Sequence, residues 1–101
     1  MSYTQLYCHI VFRTYKGQQT IKKENASRLY AYIKAIVQNN KCELHAIGGM
    51  PDHIHLFIRL HQSVRLSDLI RDIKSDSSKW IKKNKELFPH FTSWAAIVKS
   101  K

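Results

Sequence analysis

The chain has few of the residues that break, bend or cross-link a fold. It contains 3 glycines, 2 prolines and 2 cysteines among 101 residues, and 7 acidic residues against 17 lysines and arginines. No apolar run is long enough to span a bilayer, and no terminal segment has the pattern of a basic amphipathic helix. Two cysteines do not make a disulfide framework. These absences argue against a membrane protein and against a disulfide-stapled one.

What is present is enough apolar residues for a core and a large excess of positive charge. A hydrophobic content of 44% argues against disorder, and 101 residues suffice for one domain with one core. The net charge of +10 implies a polyanionic partner, with nucleic acid as the first candidate. Cys8 and Cys42 lie in apolar segments, which predicts reduced core thiols in a cytoplasmic protein. We expect no signal peptide, because residues 1–4 lead directly into a strand pattern.

The centre of the chain, residues 50–60, alternates strictly between two kinds of side chain. Such alternation is typical of a half-buried β-strand, whose successive side chains point to opposite faces. The apolar set is Ile54, Leu56, Ile58 and Leu60, and the opposite set is His53, His55, Phe57 and Arg59. The two imidazoles then lie about 7 Å apart and can converge on one metal ion or phosphate. Two histidines on a merely solvated sheet face would show the same spacing.

The remaining segments predict three more strands and two helices. Alternation indicates strands, and apolar residues at spacings of three and four indicate helices. The predicted order is strand 3–13, helix 21–39, strand 42–48, strand 50–60, helix 67–84 and strand 91–98. Ser67 is placed to cap the second helix, and Gly48 and Gly49 predict a turn over 48–52. The order β-α-β-β-α-β predicts an α+β, ferredoxin-like antiparallel sheet with two helices on one face.

Alternation also sorts the candidate site residues onto the sheet face that the helices leave uncovered. That face collects His9, Arg13, His45, His53, His55 and Arg59, together with Tyr7 and Phe57. His45 belongs there if its neighbours Leu44 and Ala46 face the core. The polar face of the second helix carries Arg71, Lys74, Ser77, Ser78, Lys79, Lys82 and Lys83. Its basic residues, with Arg13 and Arg59, are the candidate phosphate contacts, although a merely solvated helix face would look alike.

Several of these segments resemble the HUH single-strand DNA transposases, the one-tyrosine enzymes of small insertion sequences and their repeat-associated relatives. The matching segments are 9–14, Cys42 with His45, 50–56, 66–70, Lys74 and 78–80. His53 and His55, which flank Ile54, match the HUH element itself. The resemblance covers residues 3–98 and is strongest where the two histidines follow Met50-Pro51-Asp52.

The resemblance implies a metal-dependent transposase that cleaves and rejoins single-stranded or hairpin DNA. The family's two histidines, here His53 and His55, bind a divalent cation, usually magnesium or manganese, which polarises the scissile phosphate. A tyrosine attacks that phosphate and leaves a 5′-phosphotyrosine and a free 3′-hydroxyl. Asp52, His9 and His45 are the expected supports of the metal pair. Family members also pair so that the histidines of one subunit meet the tyrosine of the other, so we expect a homodimer.

One departure from the family's pattern concerns the nucleophile. The family's tyrosine lies on a helix after the last strand, where the printed sequence stops. We therefore expect residues 1–101 to form a single domain that lacks the tyrosine helix and does not cleave DNA. The tyrosines present are Tyr3, Tyr7, Tyr15, Tyr30 and Tyr32. Only Tyr7 is predicted on the histidine face, which makes it the one rival nucleophile.

Three functions remain open at this point. The first is a transposase, and the second is a catalytically inactive module that binds single-stranded or hairpin DNA. The third is an RNA-binding ferredoxin-like domain, which would stack bases on sheet aromatics. Exposure of Tyr7 and Phe57 side by side, with no metal bound between the histidines, would favour the third.

Overall fold

The computed structural model describes residues 6–99 as four strands and two long helices. The elements are β1 (Leu6–Thr14), α1 (Lys23–Asn39), β2 (Glu43–Met50), β3 (His53–Leu60), α2 (Leu66–Lys83) and β4 (Trp94–Lys99). A 3₁₀ turn, Tyr15–Gly17, follows β1. The predicted order of elements is confirmed, while the predicted start of the first strand at residue 3 lies outside the described residues.

The four strands form one antiparallel sheet in the order β2-β3-β1-β4. β1 and β3 lie in the centre, and β2 and β4 form the edges. Both helices pack on one face of this sheet, so the predicted α+β fold with two helices on one face is confirmed. We call the opposite face, which neither α1 nor α2 covers, the open face.

The core lies between the sheet and the two helices. Ile54, Leu56 and Ile58 of β3 are fully buried there, as the alternation predicts. The helices contribute buried residues at spacings of three and four: Leu29, Ile33, Ile36 and Val37 from α1, and Leu69, Ile73, Ser77 and Ile81 from α2. Each large apolar side chain buried in this way stabilises the fold by about 1.5–3 kcal/mol.

Two predictions about α2 are wrong. Ser67 does not cap the helix, because the helix begins at Leu66 and the preceding Arg65 makes no side-chain capping bond. Ser77 does not belong to the solvated face, because it is fully buried and its hydroxyl donates to the carbonyl of Ile73. The same hydroxyl accepts a hydrogen bond from Trp94 Nε1 at 3.0 Å. A contact from a distant strand thus places a polar residue inside the core.

The predicted turn over 48–52 is also wrong in its extent. β2 continues through Gly48 and Gly49 to Met50, and the turn consists of two residues, Pro51 and Asp52. A Cβ atom at position 49 would overlap the backbone of β3 at His53 and lie 2.7 Å from the Cα of Ile54. Glycine at 49 therefore permits a close approach of two strands rather than a reversal of the chain.

A β-bulge interrupts β2 at His45. Leu44 pairs with Ile58 and Ala46 pairs with Phe57, so one extra residue lies between the two pairs. The bulge reverses the alternation of β2, so the condition that both Leu44 and Ala46 face the core is not met, because Ala46 pairs with Phe57 on the open face. His45 nonetheless lies on the open face, where its ring contacts Phe57.

Cys8 and Cys42 are both buried and free, in keeping with the prediction of core thiols. Neither α1 nor α2, the helices of the described part of the chain, is long and apolar enough to cross a membrane.

Candidate functional site

The strand register arranges the candidate residues of the open face in cross-strand pairs. Arg13 of β1 pairs with His53 of β3, and Val11 pairs with His55. Further along the same strands, His9 pairs with Phe57 and Tyr7 with Arg59. The open face therefore has two ends. The histidine end lies beside the Pro51–Asp52 turn, and the aromatic end lies toward the opposite end of β1 and β3.

His53 and His55, here called the histidine pair, converge at their Nε2 atoms. These two nitrogens lie 3.1 Å apart, close enough for one cation to bind both. The Nδ1 atom of His53 lies 2.7 Å from Oδ1 of Asp52. A proton on Nδ1 donated to this carboxylate leaves the Nε2 lone pair of His53 free for a ligand. Asp52 thus orients the imidazole and selects its tautomer.

The local electrostatics favour an ionised Asp52 and a neutral His55, as the pKa shifts of these two groups show. The hydrogen bond from His53 lowers the pKa of Asp52, so this carboxyl group is ionised near neutral pH. Desolvation lowers the pKa of His55, and the neighbouring His53 and His9 lower it further. Because a metal-binding imidazole must be neutral, both effects suit a cation site.

The histidine pair fits a divalent cation as part of a ligand set. Imidazole nitrogens bind manganese better than magnesium, which prefers oxygen. No group of three or more His, Cys, Asp or Glu residues within positions 6–99 is arranged to hold a metal. The pair would therefore leave most of the cation's coordination sphere to water or to a phosphate.

The predicted supports of the histidine pair lie in three different places. Asp52 contacts His53 directly, as described above. The ring of His9 lies 5.5 Å from that of His55, between ring centroids. His45 lies instead at the aromatic end, 5.4 Å from the ring of Tyr7, and its Nε2 atom is 3.2 Å from Glu43. The structure therefore does not bring His45 to the histidine pair.

The turn that carries Asp52 is held by residues to which the sequence patterns assign no role. The backbone N–H of Thr14 donates to the carbonyl of Asp52 at 3.0 Å, and the N–H of Ile21 donates to the carbonyl of Pro51 at 3.0 Å. The buried Thr14 hydroxyl lies 2.7 Å from the Gln18 carbonyl and 3.1 Å from the Asp52 carbonyl. These bonds fix the turn from which the histidine pair projects. A polar residue at the end of an apolar strand is the only sequence signal for Thr14.

The aromatic end consists of Tyr7, Phe57 and His45. The rings of Tyr7 and Phe57 stack with their centroids 5.4 Å apart and an angle of 9° between their planes, and both side chains are half-buried. His45 meets both rings edge-on. An ion pair between Arg59 and Glu43 borders the cluster, and its hydrogen bond lowers the pKa of Glu43. Arg59, a predicted phosphate contact, is therefore already paired.

The predicted phosphate contacts separate into two groups on opposite sides of the sheet. Arg13 and Arg59 lie on the open face with the histidines, whereas the basic residues of α2 lie on the helical side. The second group is Arg71, Lys74, Lys79, Lys82 and Lys83. One short single strand cannot lie across both groups without passing around an edge of the sheet.

A groove of about 630 Å³ runs between α2 and the start of β4. We call it the α2 groove, and its lining is Ser67, Ile70, Arg71, Lys74, Ser75, Ser78, Ser93 and Trp94. Lys82, four residues after Ser78, lies on the same flank of the helix. Arg71 is paired with Asp68 at 3.1 Å and Asp72 at 3.5 Å. The groove therefore offers hydroxyl groups and lysine ammonium groups to an anion.

None of the described tyrosines is brought to the histidine pair by the strand register. Tyr7 pairs with Arg59, at the far end of β1 from Arg13, which pairs with His53. Tyr30 and Tyr32 lie on α1, on the helical side of the sheet, and Tyr15 lies in the 3₁₀ turn after β1. Tyr3 lies outside the described residues.

Comparisons with known proteins point to one family. The family described as "Transposase IS200 like" matches residues 2–96. No curated protein matches the chain. A solved structure from Deinococcus radiodurans R1, described as a candidate transposase, is similar with a TM-score of 0.81 and 21% identity, over 99% of this chain and 83% of that one. A REP-associated tyrosine transposase bound to a REP hairpin is similar with a TM-score of 0.64 and 11% identity, over 100% of this chain and 62% of that one. At these identities the solved structures establish the shared fold.

Proposed function

The chain belongs to the IS200-like transposase family, and we propose that its histidine pair holds a divalent cation that presents single-stranded DNA for cleavage and rejoining. The observation that carries this proposal is the 3.1 Å approach of the two Nε2 atoms, with Asp52 bonded behind His53. A solvated pair of histidines needs neither the convergence nor the carboxylate. The cation is magnesium or manganese.

In this proposal the protein's residues bind and orient the substrate. His53 and His55 hold the cation, which when bound polarises a phosphate oxygen and offsets developing negative charge. Asp52 keeps His53 in the tautomer that can bind. Arg13, which is exposed and in register with His53, contacts an adjacent phosphate. His9, on the neighbouring strand, disfavours the protonated form of His55 by charge repulsion and so helps to keep that ring neutral.

The covalent step needs a tyrosine that leaves a 5′-phosphotyrosine and a free 3′-hydroxyl. A nucleophile must lie about 3–3.5 Å from the phosphorus and in line with the leaving oxygen. Because the register places Tyr7 far from His53, we propose that the attacking hydroxyl comes from outside the described residues. In this proposal residues 1–101 form one domain that binds DNA and the cation, and residues 6–99 do not by themselves supply the attacking hydroxyl.

The α2 groove is the proposed contact for the phosphates of a folded DNA hairpin. Lys74 and Lys82 share its flank, and no carboxylate of residues 6–99 lies within ion-pairing distance of either. A relative of the same fold has been solved with a bound REP hairpin, and hairpin DNA is the corresponding ligand here. The two basic groups would then bind different parts of one DNA molecule.

We further propose a homodimer that acts in the cytoplasm. β4 is an edge strand, and its Ile97 and Val98 are both exposed. An exposed apolar edge favours association with another chain, most simply about a two-fold axis. Light scattering tests the dimer, and a monomer mass at all concentrations contradicts it.

A cytoplasmic location is consistent with the free thiols of Cys8 and Cys42.

The experiment that tests the function combines manganese with labelled single-stranded hairpin DNA. We expect DNA binding that strengthens with manganese and that falls in His53→Ala and His55→Ala, with no adduct that survives denaturation. Binding that is indifferent both to manganese and to the two substitutions refutes the proposal. An adduct that disappears in Tyr7→Phe would instead assign the nucleophile to Tyr7.

A second candidate function is an RNA-binding domain, and the stacked pair of Tyr7 and Phe57 favours it. Ferredoxin-like RNA-binding domains stack bases on aromatic residues of the open sheet face. The same experiment with ribonucleotide and deoxyribonucleotide strands of one sequence separates the two. Tighter binding of the RNA strand, without any effect of manganese, supports the second candidate. A catalytically inactive DNA-binding module predicts tighter binding of DNA without any effect of manganese.

A further inference from the structure

The open face of β2 has little side-chain bulk in the short stretch between His45 and Met50. The register places Gly48 opposite His55 and Ala46 opposite Phe57, all four on the open face. Since β2 is an edge strand, this low region is open on its outer side. We call it the β2 shelf, defined by Ala46 and Gly48. His45, whose ring contacts Phe57, bounds the shelf at one end, and Met50, which pairs with His53, bounds it at the other.

The fold itself does not require glycine at position 48. A Cβ atom built there would meet no atom within 4 Å, and among the described glycines only Gly17 has a positive φ angle. Gly49, the next residue, is the opposite case, because its Cβ would collide with β3. Glycine inside a strand weakens it, and it often marks a place where a ligand approaches closely. The absence of a side chain at Gly48 therefore leaves room for a ligand rather than for another part of the fold.

The neighbours of the β2 shelf show what could occupy that space. The Phe57 ring is half-buried, and Tyr7 stacks on one of its faces. Phe57 and His55 lie two residues apart on one face of β3, which is about 7 Å. An aromatic surface and a proposed cation site thus lie side by side along the shelf. A nucleotide presents a base and a phosphate in the same way.

We propose that the β2 shelf seats one nucleotide of single-stranded DNA beside the phosphate at the histidine pair, with its base against Phe57 and its backbone over Gly48. This inference rests on the proposed function, because it names the substrate's position at the same site. The chain's charge of +10 favours a polyanion over an apolar occupant. Stacking on an aromatic side chain tolerates any base, so the seat contributes affinity rather than sequence specificity.

The test measures the binding of two labelled strands of equal length and charge, oligothymidine and an abasic sugar-phosphate oligomer, by anisotropy in the presence of manganese. We expect the unsubstituted protein to prefer oligothymidine. A valine side chain in Gly48→Val or Ala46→Val fills the shelf and reduces that preference by about 5- to 150-fold, the contribution of one stacked base. Phe57→Leu, which keeps an apolar side chain without a stacking surface, reduces it similarly.

The matched control is Ala95→Val, the same exchange as Ala46→Val on the opposite edge strand. Ala95 is exposed and pairs with Arg13, so it lies on the open face outside the shelf. We expect it to leave the preference unchanged. Gly48→Val should not lower the unfolding midpoint in urea and should keep the manganese affinity, because its side chain enters open space.

The outcomes separate the seat from the function on which it rests. If the unsubstituted protein binds DNA and manganese but Gly48→Val keeps the full preference for oligothymidine, the seat is refuted and the proposed function stands. If the unsubstituted protein binds neither, the proposed function fails and the seat with it. A preference for oligouridine that the shelf substitutions abolish would overturn DNA as the occupant. A changed mass in light scattering with unchanged DNA affinity would assign the shelf to a second copy of the chain and also overturn the proposal.

Discussion

The two faces of β3 carry opposite chemistry on one backbone. On the side of the helices Ile54, Leu56 and Ile58 are fully buried, whereas on the open face His53 and His55 keep polar atoms accessible. Side chains that alternate across a strand share neighbours along the chain but not in space. The comparison teaches that the buried core and the proposed ligand site lie on opposite parities of the same eight residues. Substitutions one position apart should therefore have separable effects.

The largest expected effect comes from the buried parity. Leu56→Ala should lower the free energy of unfolding by about 2–5 kcal/mol, because it leaves a cavity between the sheet and the helices. The neighbouring His55→Ala should change it by less than about 1 kcal/mol and abolish manganese binding. Urea denaturation and calorimetric titration measure the two quantities. A loss of stability in His55→Ala as large as that in Leu56→Ala would break the comparison.

The next largest effect concerns the carboxylate behind His53. Asp52→Ala should weaken manganese binding by about 10- to 100-fold, since such partners orient the ligand and raise its basicity. The manganese affinity of Asp52→Asn should lie between those of Asp52→Ala and the unsubstituted protein. Its amide oxygen can still accept a hydrogen bond from the Nδ1–H of His53, but it carries no charge. Equal affinity in all three proteins would mean that Asp52 only forms the turn. Far-ultraviolet circular dichroism confirms that each variant is folded.

A smaller effect on stability and on manganese binding is expected at Thr14, which supports the turn that carries Asp52. Thr14→Val removes the hydroxyl that lies between the carbonyls of Gln18 and Asp52, and it should cost about 1 kcal/mol of unfolding free energy. Manganese binding should weaken with it, because the turn that carries Asp52 loses a support. Thr14→Ser keeps the hydroxyl and serves as the control, with manganese affinity near that of the unsubstituted protein. Equal affinities in Thr14→Val and Thr14→Ser would limit Thr14 to a role in stability.

The smallest effect distinguishes two flanks of α2. Lys74 and Lys82 lie on the groove flank, while Lys79 and Lys83 share the other flank with Asp72 and Asp76. The prediction compares two double variants, in which the lysines of one flank are replaced by glutamine.

Replacing one phosphate-binding lysine with glutamine should reduce the slope of log affinity against log salt by about 0.7 on single-stranded DNA. When both groove lysines are replaced, we expect the slope to fall by twice that amount. When Lys79 and Lys83 are replaced, we expect a smaller reduction of the slope. Equal slopes in the two double variants would show that α2 acts as an undifferentiated basic surface. An unchanged slope in the groove variant refutes the groove as a DNA-binding surface.

The face that carries the site could be predicted from sequence because alternation is a local property. His53, His55, Phe57 and Arg59 share a parity, and no distant contact is needed to place them on one side of the sheet. The order of elements follows in the same way from the change between periods of two and of three to four. Even the position of Arg13 on the same face as His53 follows from parity in the neighbouring strand.

Sequence patterns fail where one residue interrupts a period or depends on a distant partner. The bulge at His45 reverses the parity of Ala46, and alternation contains no signal for an inserted residue. Gly48 and Gly49 together predict a turn, yet Gly49 admits a neighbouring strand and Gly48 faces open space. Ser77 is buried because Trp94, from the last strand, donates to it. Each of these depends on how one element packs or pairs with another, which the pattern within a single segment does not contain.

The lowered pKa of His55 predicts how both stability and manganese binding should change with pH. Burial lowers its pKa in the folded protein, so near its ordinary value of about 6.5 the folded chain binds fewer protons there than the unfolded chain. This contribution to stability is present above pH 6.5 and is lost as pH falls through the pKa of the folded state. Manganese, which requires the neutral ring, should follow the same direction and bind more weakly in acid.

The central claim is that His53 and His55 form one cation site, and manganese titration followed by NMR of the histidine rings tests it most directly. The chain has six histidines, and His45, His61 and His90 lie outside the proposed site. At substoichiometric manganese and neutral pH, we predict that the ring signals of His53 and His55 broaden first, that His9 follows, and that acid reverses the effect. Equal broadening of all six rings, or broadening that spares His53 and His55, would contradict the account.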